Sequence, residues 1–483
     1  MKKIKGIKDI RESFKSRQVK YGGYAALLTL AVIAAFILVN LIAGQLSLQV
    51  DLAESKLFSL SEQTMQVLET VKTPVRFYGL WRPGEENQEV INVVNLYLSK
   101  NRNISMEAID PDRNPGFVNR YDRDRQGIQR GSLIVEGEKG FKVIAPADMY
   151  DVYQTQSGSN SITGIAIERR ITSALIFAGT GVTPAIYEIT GHGEYPLAAY
   201  GIQDVVEREN FTVKSLNLLV DAIPSDASAL VLLNPLRDLA ASEAEKILDY
   251  LGRGGRLLIM ANYQIGEITH LNEVLESYGL AFTYGIVHEP DPRYTAIDNS
   301  TEWPDLSDHD ITKPLMDKTK TPVVLVEAMA LSVLDTKRRS VDILPLMTTS
   351  PGAFLRTDLD EDSAVKTASD ISGPFVLGVA VKDPSWVQGN DPQARIVAIG
   401  CNGYYLFYFA AMGFDANRDI FMNSLTWLED RPETITVRSK SVFILPLRMN
   451  LVQIIVSGAL FIFIIPAAFF VCGLVVWLKR RHL

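Results

Sequence analysis

Hydrophobic positions along the 483-residue chain fall into two regimes. Two long apolar runs bracket the rest: Gly22–Gly44 holds 23 residues without a charge, and Leu451–Trp477 holds 27. About 20 apolar residues cross the hydrocarbon core of a bilayer, so both runs predict transmembrane helices. Between them the pattern alternates short apolar strands with stripes at helical spacing. Val75–Trp81 predicts a strand, and Val90, Val93, Val94, Tyr97 and Leu98 recur at i, i+3, i+4, i+7 and i+8, the pattern of a helix buried on one face. Ile104–Ile109 predicts a second strand, stopped by Asp110-Pro111-Asp112. Ser132–Val135 and Phe141–Ile144, parted by Gly137 and Gly140, predict a hairpin. A polar, Ser/Gly-rich linker over residues 154–164 is followed by an expected helix, Ile165–Phe177, ending at Gly179.

A second alternating block starts at the strand Ala185–Thr190. A helix carrying Ala198, Ile202, Val205 and Val206 on one face comes next, then the strands Phe211–Leu218 and Ala229–Leu233. Ser242 and Glu245 predict a capping box for a helix running to Leu251 with Gly252 at its stop, and Gly254-Gly255 turns the chain into the strand Arg256–Ala261. This β-α-β-β-α-β order predicts a Rossmann-like, mostly parallel sheet, to which Phe375–Val381 and Arg395–Gly400 add buried strands and Ile420–Leu428 a closing helix. The earlier β-α-β and hairpin follow the layout of a thioredoxin-like domain. Where its redox motif would stand, the chain reads Arg82-Pro83-Gly84-Glu85, without a thiol for exchange chemistry. The expected fold class is therefore α/β, with two transmembrane helices flanking a large external region. Its divisions are a basic tail (1–21), a first span (22–44), a thioredoxin-like domain (45–153), a linker and helix (154–182), a Rossmann-like domain (183–436), a connector (437–450), a second span (451–477) and a basic tail (478–483).

Charge sets the orientation. Residues 1–20 carry eight Lys/Arg against Asp9 and Glu12, and Lys479, Arg480 and Arg481 follow the second run; basic flanks stay on the cytoplasmic side, which puts both termini inside. Ile4, Ile7, Ile10 and Phe14 stand at helical spacing among those lysines, which reads either as a helix lying on the inner leaflet or as an ordinary basic flank. Setting the tails aside leaves 37 basic and 54 acidic residues, a net of −17 that excludes nucleic acid as a partner of the external region. Small residues four apart, Gly22/Ala26 and Ala31/Ala35, give the first span a face for close helix packing, against partner helices or against the second span. The mean hydropathy of +0.08 owes much to the two runs.

Few motifs carry chemistry. No G-x-x-x-x-G-K-[ST] is present, so nothing is built to cradle triphosphates, and Gly252-Arg253-Gly254-Gly255 leaves a helix for a strand, the reverse of a phosphate loop. Cys401 and Cys472 make no disulfide framework and no metal-ligand spacing. The candidate binding site is Gly191-His192-Gly193-Glu194-Tyr195, at the carboxyl end of the block's first strand, where open α/β sheets place ligands. Its glycines allow close backbone approach, while His192 and Glu194 are able to hold a proton, a metal or a polar group. The alternative is a tight turn in which His192 bonds a neighbouring carbonyl. No metal, no cofactor and no catalytic residue is assigned, and an external hydrolase or metal-dependent enzyme using His192 and Glu194 stands as the second reading.

Five stretches resemble the auxiliary component of gliding-motility-type ABC transporters: Asp51-Leu52-Ala53-Glu54-Ser55-Lys56-Leu57-Phe58-Ser59-Leu60-Ser61; Glu168 with Ile171-Thr172-Ser173-Ala174; Thr190-Gly191-His192-Gly193-Glu194; His309-Asp310-Ile311-Thr312; and Asn417 and Asn423 with Trp427-Leu428. The resemblance spans nearly the whole chain. It implies an auxiliary, non-enzymatic subunit of the bacterial inner membrane that works with a separate ABC ATPase and a multi-span permease. Its external domains would bind substrate or an envelope or cell-wall component. It also implies a domain similar to the class I glutamine-amidotransferase fold, shared with an intraflagellar transport protein and an oligosaccharyltransferase subunit, without the amidotransferase nucleophile.

Overall fold

The computed structural model describes residues 27, 29–38, 59–123, 125, 127–154, 160–266, 268–316, 322–360, 365–384, 393–412, 414–430, 440–441 and 451–481. The chain divides into two compact units, Met1–Ser59 and Leu60–Leu483. In the first, Thr29–Leu38 is an apolar helix, shorter than a bilayer crossing, with Ala31 and Ala35 one turn apart and exposed; Gly22 and Ala26 lie outside the described residues. In the second unit, Ile455–Val475 lies within one helix long and apolar enough, by length and composition, to anchor in a membrane. This helix passes through a π turn at Leu460–Ile464. Pro466 follows, and a proline ring crowds the carbonyl four residues back while lacking an N–H to bond it, which is the mismatch a π turn absorbs.

The second unit opens with α1 (Glu62–Thr70), β1 (Val75–Leu80), α2 (Gln88–Lys100), β2 (Ile104–Ile109), α3 (Pro115–Tyr121), β3 (Leu133–Glu136) and β4 (Phe141–Ile144). Its four strands pair in the order β2-β1-β3-β4, with β1 parallel to β2 and antiparallel to β3. Val90, Val93, Val94 and Tyr97, the stripe read from spacing, face the buried cluster of this sheet. The polar stretch expected as a linker is instead partly paired: β5 (Tyr150–Gln154) and β6 (Asn160–Ile165) form an antiparallel hairpin, and β16 (Lys440–Ser441), from the expected connector, adds to β6 through Lys440↔Ile165 and Ser441↔Gly164. Polar composition hid a hairpin whose second arm also takes a remote partner. The helix α4 (Ile167–Thr180) starts two residues later than expected and runs three residues past Phe177, because Gly181, at φ 65°, supplies its left-handed cap.

A ten-stranded mixed sheet follows, built from β7 (Ala185–Ile189), β8 (Thr212–Leu216), β9 (Ala227–Leu233), β10 (Arg256–Ala261), β11 (Leu280–Thr283), β12 (Ala330–Val333), β13 (Asp342–Thr348), β14 (Val376–Asp383) and β15 (Ala394–Gly400), with Asp305–Leu306 pairing on β13. The main path runs β11-β12-β14-β15-β10-β9-β7-β8; β15, β10, β9, β7 and β8 are mutually parallel, and β11 to β14 extend the sheet antiparallel. Because the strands are covered on both faces they read as continuous apolar runs. One face packs α5 (Ile202–Arg208) and α9 (Asp415–Leu428), through Ile202, Val206 and Phe421. The other packs α6 (Ala241–Gly252) and α7 (Thr269–Glu276), through Ile247, Leu251 and Val274. The expected capping box of Ser242 and Glu245 does not form: the helix starts two residues earlier, and Glu243 accepts the Ala240 N–H at 2.8 Å.

The two sheets meet around α4. Glu168 is buried and accepts from the Ser61 N–H at 2.6 Å and the Thr64 hydroxyl at 2.7 Å, while the Tyr97 hydroxyl bonds the Glu168 carbonyl and Thr172. Arg169 reaches Asp151 at 2.8 Å, Arg170 reaches Glu209 at 2.8 Å, and Arg418 on α9 approaches Asp151 at 3.6 Å. Burial lowers Arg170 to about 10. Ser173 donates to the Arg208 carbonyl, and Asn210 donates to the Ser173 carbonyl at 2.8 Å. A buried donor that loses its only acceptor forfeits about 1–3 kcal/mol. Glu168→Ala strips the acceptor from the half-buried Ser61 N–H and leaves the Thr64 hydroxyl only Thr172, so it is expected to destabilise the unit by about 1–2 kcal/mol, read as an earlier unfolding midpoint in the fluorescence of buried Trp81. An unchanged midpoint would remove Glu168 from this role.

Candidate functional site

The parallel strands follow the order 2-1-3-4-5 counted from β7, so the direction of winding reverses between β7 and β9, the place where doubly wound sheets open a crevice at their carboxyl ends. Gly191-His192-Gly193-Glu194 leaves β7 at that point. Gly191 and Gly193 take φ of 128° and 81°, a region that penalises side chains, and this lets two sharp reversals fit in four residues. The turn is pinned to the next strand: Tyr195 N–H donates to the Leu233 carbonyl at 3.0 Å and Leu236 N–H to the His192 carbonyl at 2.9 Å. Arg237 donates to the Gly191 carbonyl at 3.1 Å.

His192 is buried rather than presented. Its Nδ1 lies 2.5 Å from Glu194 Oε1 and its Nε2 lies 2.7 Å from Glu243 Oε2, and Glu194 Oε2 also accepts the His192 N–H at 2.7 Å. The Glu194 hydrogen bond, helped by Glu243 and opposed by burial, raises the His192 pKa. Burial pushes the Glu194 carboxyl up, but hydrogen bonds from the His192 ring and from backbone N–H groups outweigh it and hold the carboxyl below its usual range. Both ring nitrogens are thus taken up by carboxyl oxygens, and neither is open to a metal or a reacting group. Glu188 on β7, its pKa raised by burial, accepts the Leu197 N–H at 2.6 Å and fixes the chain just past the turn.

Sequence spacing found His192 and Glu194 but missed Glu243, which lies 51 residues from His192. The available signal was a glutamate at the third position of a helix starting beside the β9 end. Tyr195 does reach outward, with its ring edge-to-face on Tyr404 at 5.3 Å, at the start of α8 (Gly403–Ala411). Cys401, at the end of β15, is fully buried, and burial pushes its thiol up to about 12. His309 is half-buried 5.3 Å from the Trp427 ring, and burial lowers its pKa. Asn423 donates to the Ile311 carbonyl at 2.9 Å, and Asn417 exchanges two hydrogen bonds with Val324. These motif residues tie α9 to its loops. Among the described residues no group of three or more His, Cys, Asp or Glu is arranged to hold a metal.

The class so defined is a mixed α/β protein with a large mostly parallel sheet, a closed histidine turn at its switch point and an apolar C-terminal helix. Residues 183–400, which contain the large sheet, match the model of a family described as an ABC-type uncharacterized transport system, and residues 54–150 match a domain of unknown function, DUF7088. Over those residues the chain is similar to the auxiliary component of an ABC-type transport system. No curated protein matches the chain. Among solved structures, the mmIFT52 N-terminal domain is similar at 15% identity, over 50% of this chain and 96% of that one, with a TM-score of 0.33.

The shifts give opposed pH limits to the turn. A raised His192 pKa contributes stability that is complete below the ordinary value of 6.5 and is lost as pH rises through the raised one. A lowered Glu194 pKa contributes stability present above 4.5 and lost as pH falls through the lowered one. Amide exchange across residues 191–195, corrected for intrinsic rates, should be slowest between those limits. His192→Ala, which leaves two buried carboxylates without their cation, should destabilise the fold by about 3 kcal/mol. Protection that is flat with pH and unaltered in the variant would overturn this account.

Proposed function

We propose that the chain is a non-catalytic, two-pass auxiliary subunit of the bacterial inner membrane. Both termini are cytoplasmic, and the thioredoxin-like (45–153) and Rossmann-like (183–436) domains lie outside, where they bind substrate or an envelope partner. A separate ABC ATPase and a multi-span permease drive transport. The observation that carries this reading is the coincidence of the transport-system match with the large sheet, whose most chemical motif is closed upon itself. Supporting it are the two apolar runs with basic flanks and the lack of a triphosphate-cradling loop in the sequence. The enzymatic alternative needs His192 to face a substrate, and both its ring nitrogens are occupied. Gliding is a narrower role than this reading needs.

Affinity purification of the tagged full-length chain in mild detergent, with mass spectrometry of what accompanies it, is the test. A P-loop ATPase and a multi-span permease in fixed ratio are expected. Recovery of the folded chain alone, or ATP hydrolysis by the chain itself, would overturn the proposal.

A further inference from the structure

Between β11 and β12 the chain leaves the large sheet, and residues 289–303 fold back on themselves as a strap. Glu289 N–H donates to the Asn299 carbonyl at 2.6 Å, Trp303 N–H donates to the Tyr294 carbonyl at 2.7 Å, and Thr301-Glu302 pairs antiparallel with Leu325-Val326. The strap is tied to the carboxyl end of the sheet. Glu327 N–H donates to the Ser300 carbonyl at 2.8 Å, and Asn402 N–H, just past β15, donates to the Val326 carbonyl at 3.3 Å. Two of the strap's carboxylates are well served. Glu289 accepts from the Ser350 N–H at 3.0 Å and its hydroxyl at 2.8 Å, and Asp298 accepts from the Ser300 N–H at 3.0 Å and from the Ser300 and Thr301 hydroxyls at 2.8 Å.

Glu302 is not served. It is 1% exposed, and neither Oε1 nor Oε2 has a hydrogen-bond partner among the described residues. The ionisable groups facing it are Glu289 and Asp298 of the strap, Glu327 beyond the paired strand, and the fully buried Cys401 thiol after β15; none of them offers a positive charge. His288 lies beside Asp298, and burial lowers its pKa, so it is uncharged in the neutral range. A carboxylate removed from water without donors or a cation costs more than protonating it. Burial raises the Glu302 pKa well above the usual range, and Asp298, Glu289 and Glu327 add to this against the pull of its own backbone N–H.

We infer that Glu302 is a neutral carboxylic acid that latches the strap, and that the strap opens more readily as pH rises. In the closed strap the buried carboxyl keeps its proton. When Thr301-Glu302 lifts from Leu325-Val326, the carboxyl meets water, gives that proton to solvent and ionises. The closed strap therefore binds one proton more than the open one. Its stabilisation is complete below the ordinary carboxyl value of 4.5 and is lost as pH rises toward the raised one. Within that window opening grows about tenfold per pH unit. Lifting the strap uncovers the carboxyl end of β15 at Cys401 and Asn402, so the latch sets access to that end of the sheet. The inference concerns the large sheet alone and does not rest on the auxiliary-subunit reading.

The test is amide hydrogen exchange of the full-length chain in lipid nanodiscs, read by mass spectrometry from about pH 5 to about pH 8 and corrected for intrinsic rates. Opening of residues 294–303, measured against the β9 amides as the reference for global unfolding, should grow about tenfold per pH unit in the native chain. In Glu302→Gln, whose amide is neutral at every pH, it should not change with pH. Glu302→Met, neutral and of similar length, takes its place if the glutamine variant does not fold. The infrared difference between the native chain and either variant at neutral pH should show the carbonyl band of a protonated carboxyl. A native slope no steeper than the variant's would overturn the inference. So would a carboxylate band in the difference spectrum, which would mean that a cation rather than a proton holds the charge.

Discussion

Everything in the larger unit depends on how the start of α4 satisfies charges it has taken out of water. Glu168, Arg169 and Arg170 are consecutive and all buried. Glu168 points to Ser61 and Thr64, Arg169 to Asp151, and both Arg170 and Arg169 to Glu209. Ionised side chains are tolerated in an interior only when paired, and removing one partner leaves the other charge stranded. The arrangement therefore specifies how the four-stranded and ten-stranded sheets are joined more sharply than apolar contact would. Arg418, between Asp151 and Asp415, extends the same network to α9.

At the far edge of the large sheet the same physics closes a site that looks reactive in sequence. A Gly-His-Gly-Glu turn at a strand end has the residue types of a catalytic or metal centre. Two carboxylates within 2.7 Å of the ring convert the histidine into a strut. Around it the exposed surface is made of glycine backbone and the aliphatic Leu236.

Strand and helix stripes were legible because apolar spacing is local: Val75–Leu80, Gln88–Lys100, Arg256–Ala261 and the closing helix all stand where their patterns put them. The hairpin β5–β6 was not, since Asn160–Ile165 is polar and gains its partners from residues 150–154 and 440–441. The candidate turn was found from its glycines and its place after β7, yet its meaning changed once Glu243 arrived from another helix. The family-like stretches at Ser61, Glu168, Thr172, Asn417 and Asn423 turn out to be joints in the packing.

The short strand Lys440–Ser441 has a mechanical meaning. It pairs with Gly164 and Ile165, and Ser61 is fastened three residues further on, at Glu168. The first and last described residues of the folded region before the C-terminal helix thus share one stretch of backbone as their support. A tug on either strand of chain, from whatever lies beyond it, loads the same few residues, and these lead straight into the arginine pair that grips the larger sheet. Entry to the sheets and exit from them are thus held by one short stretch of backbone, residues 164–168.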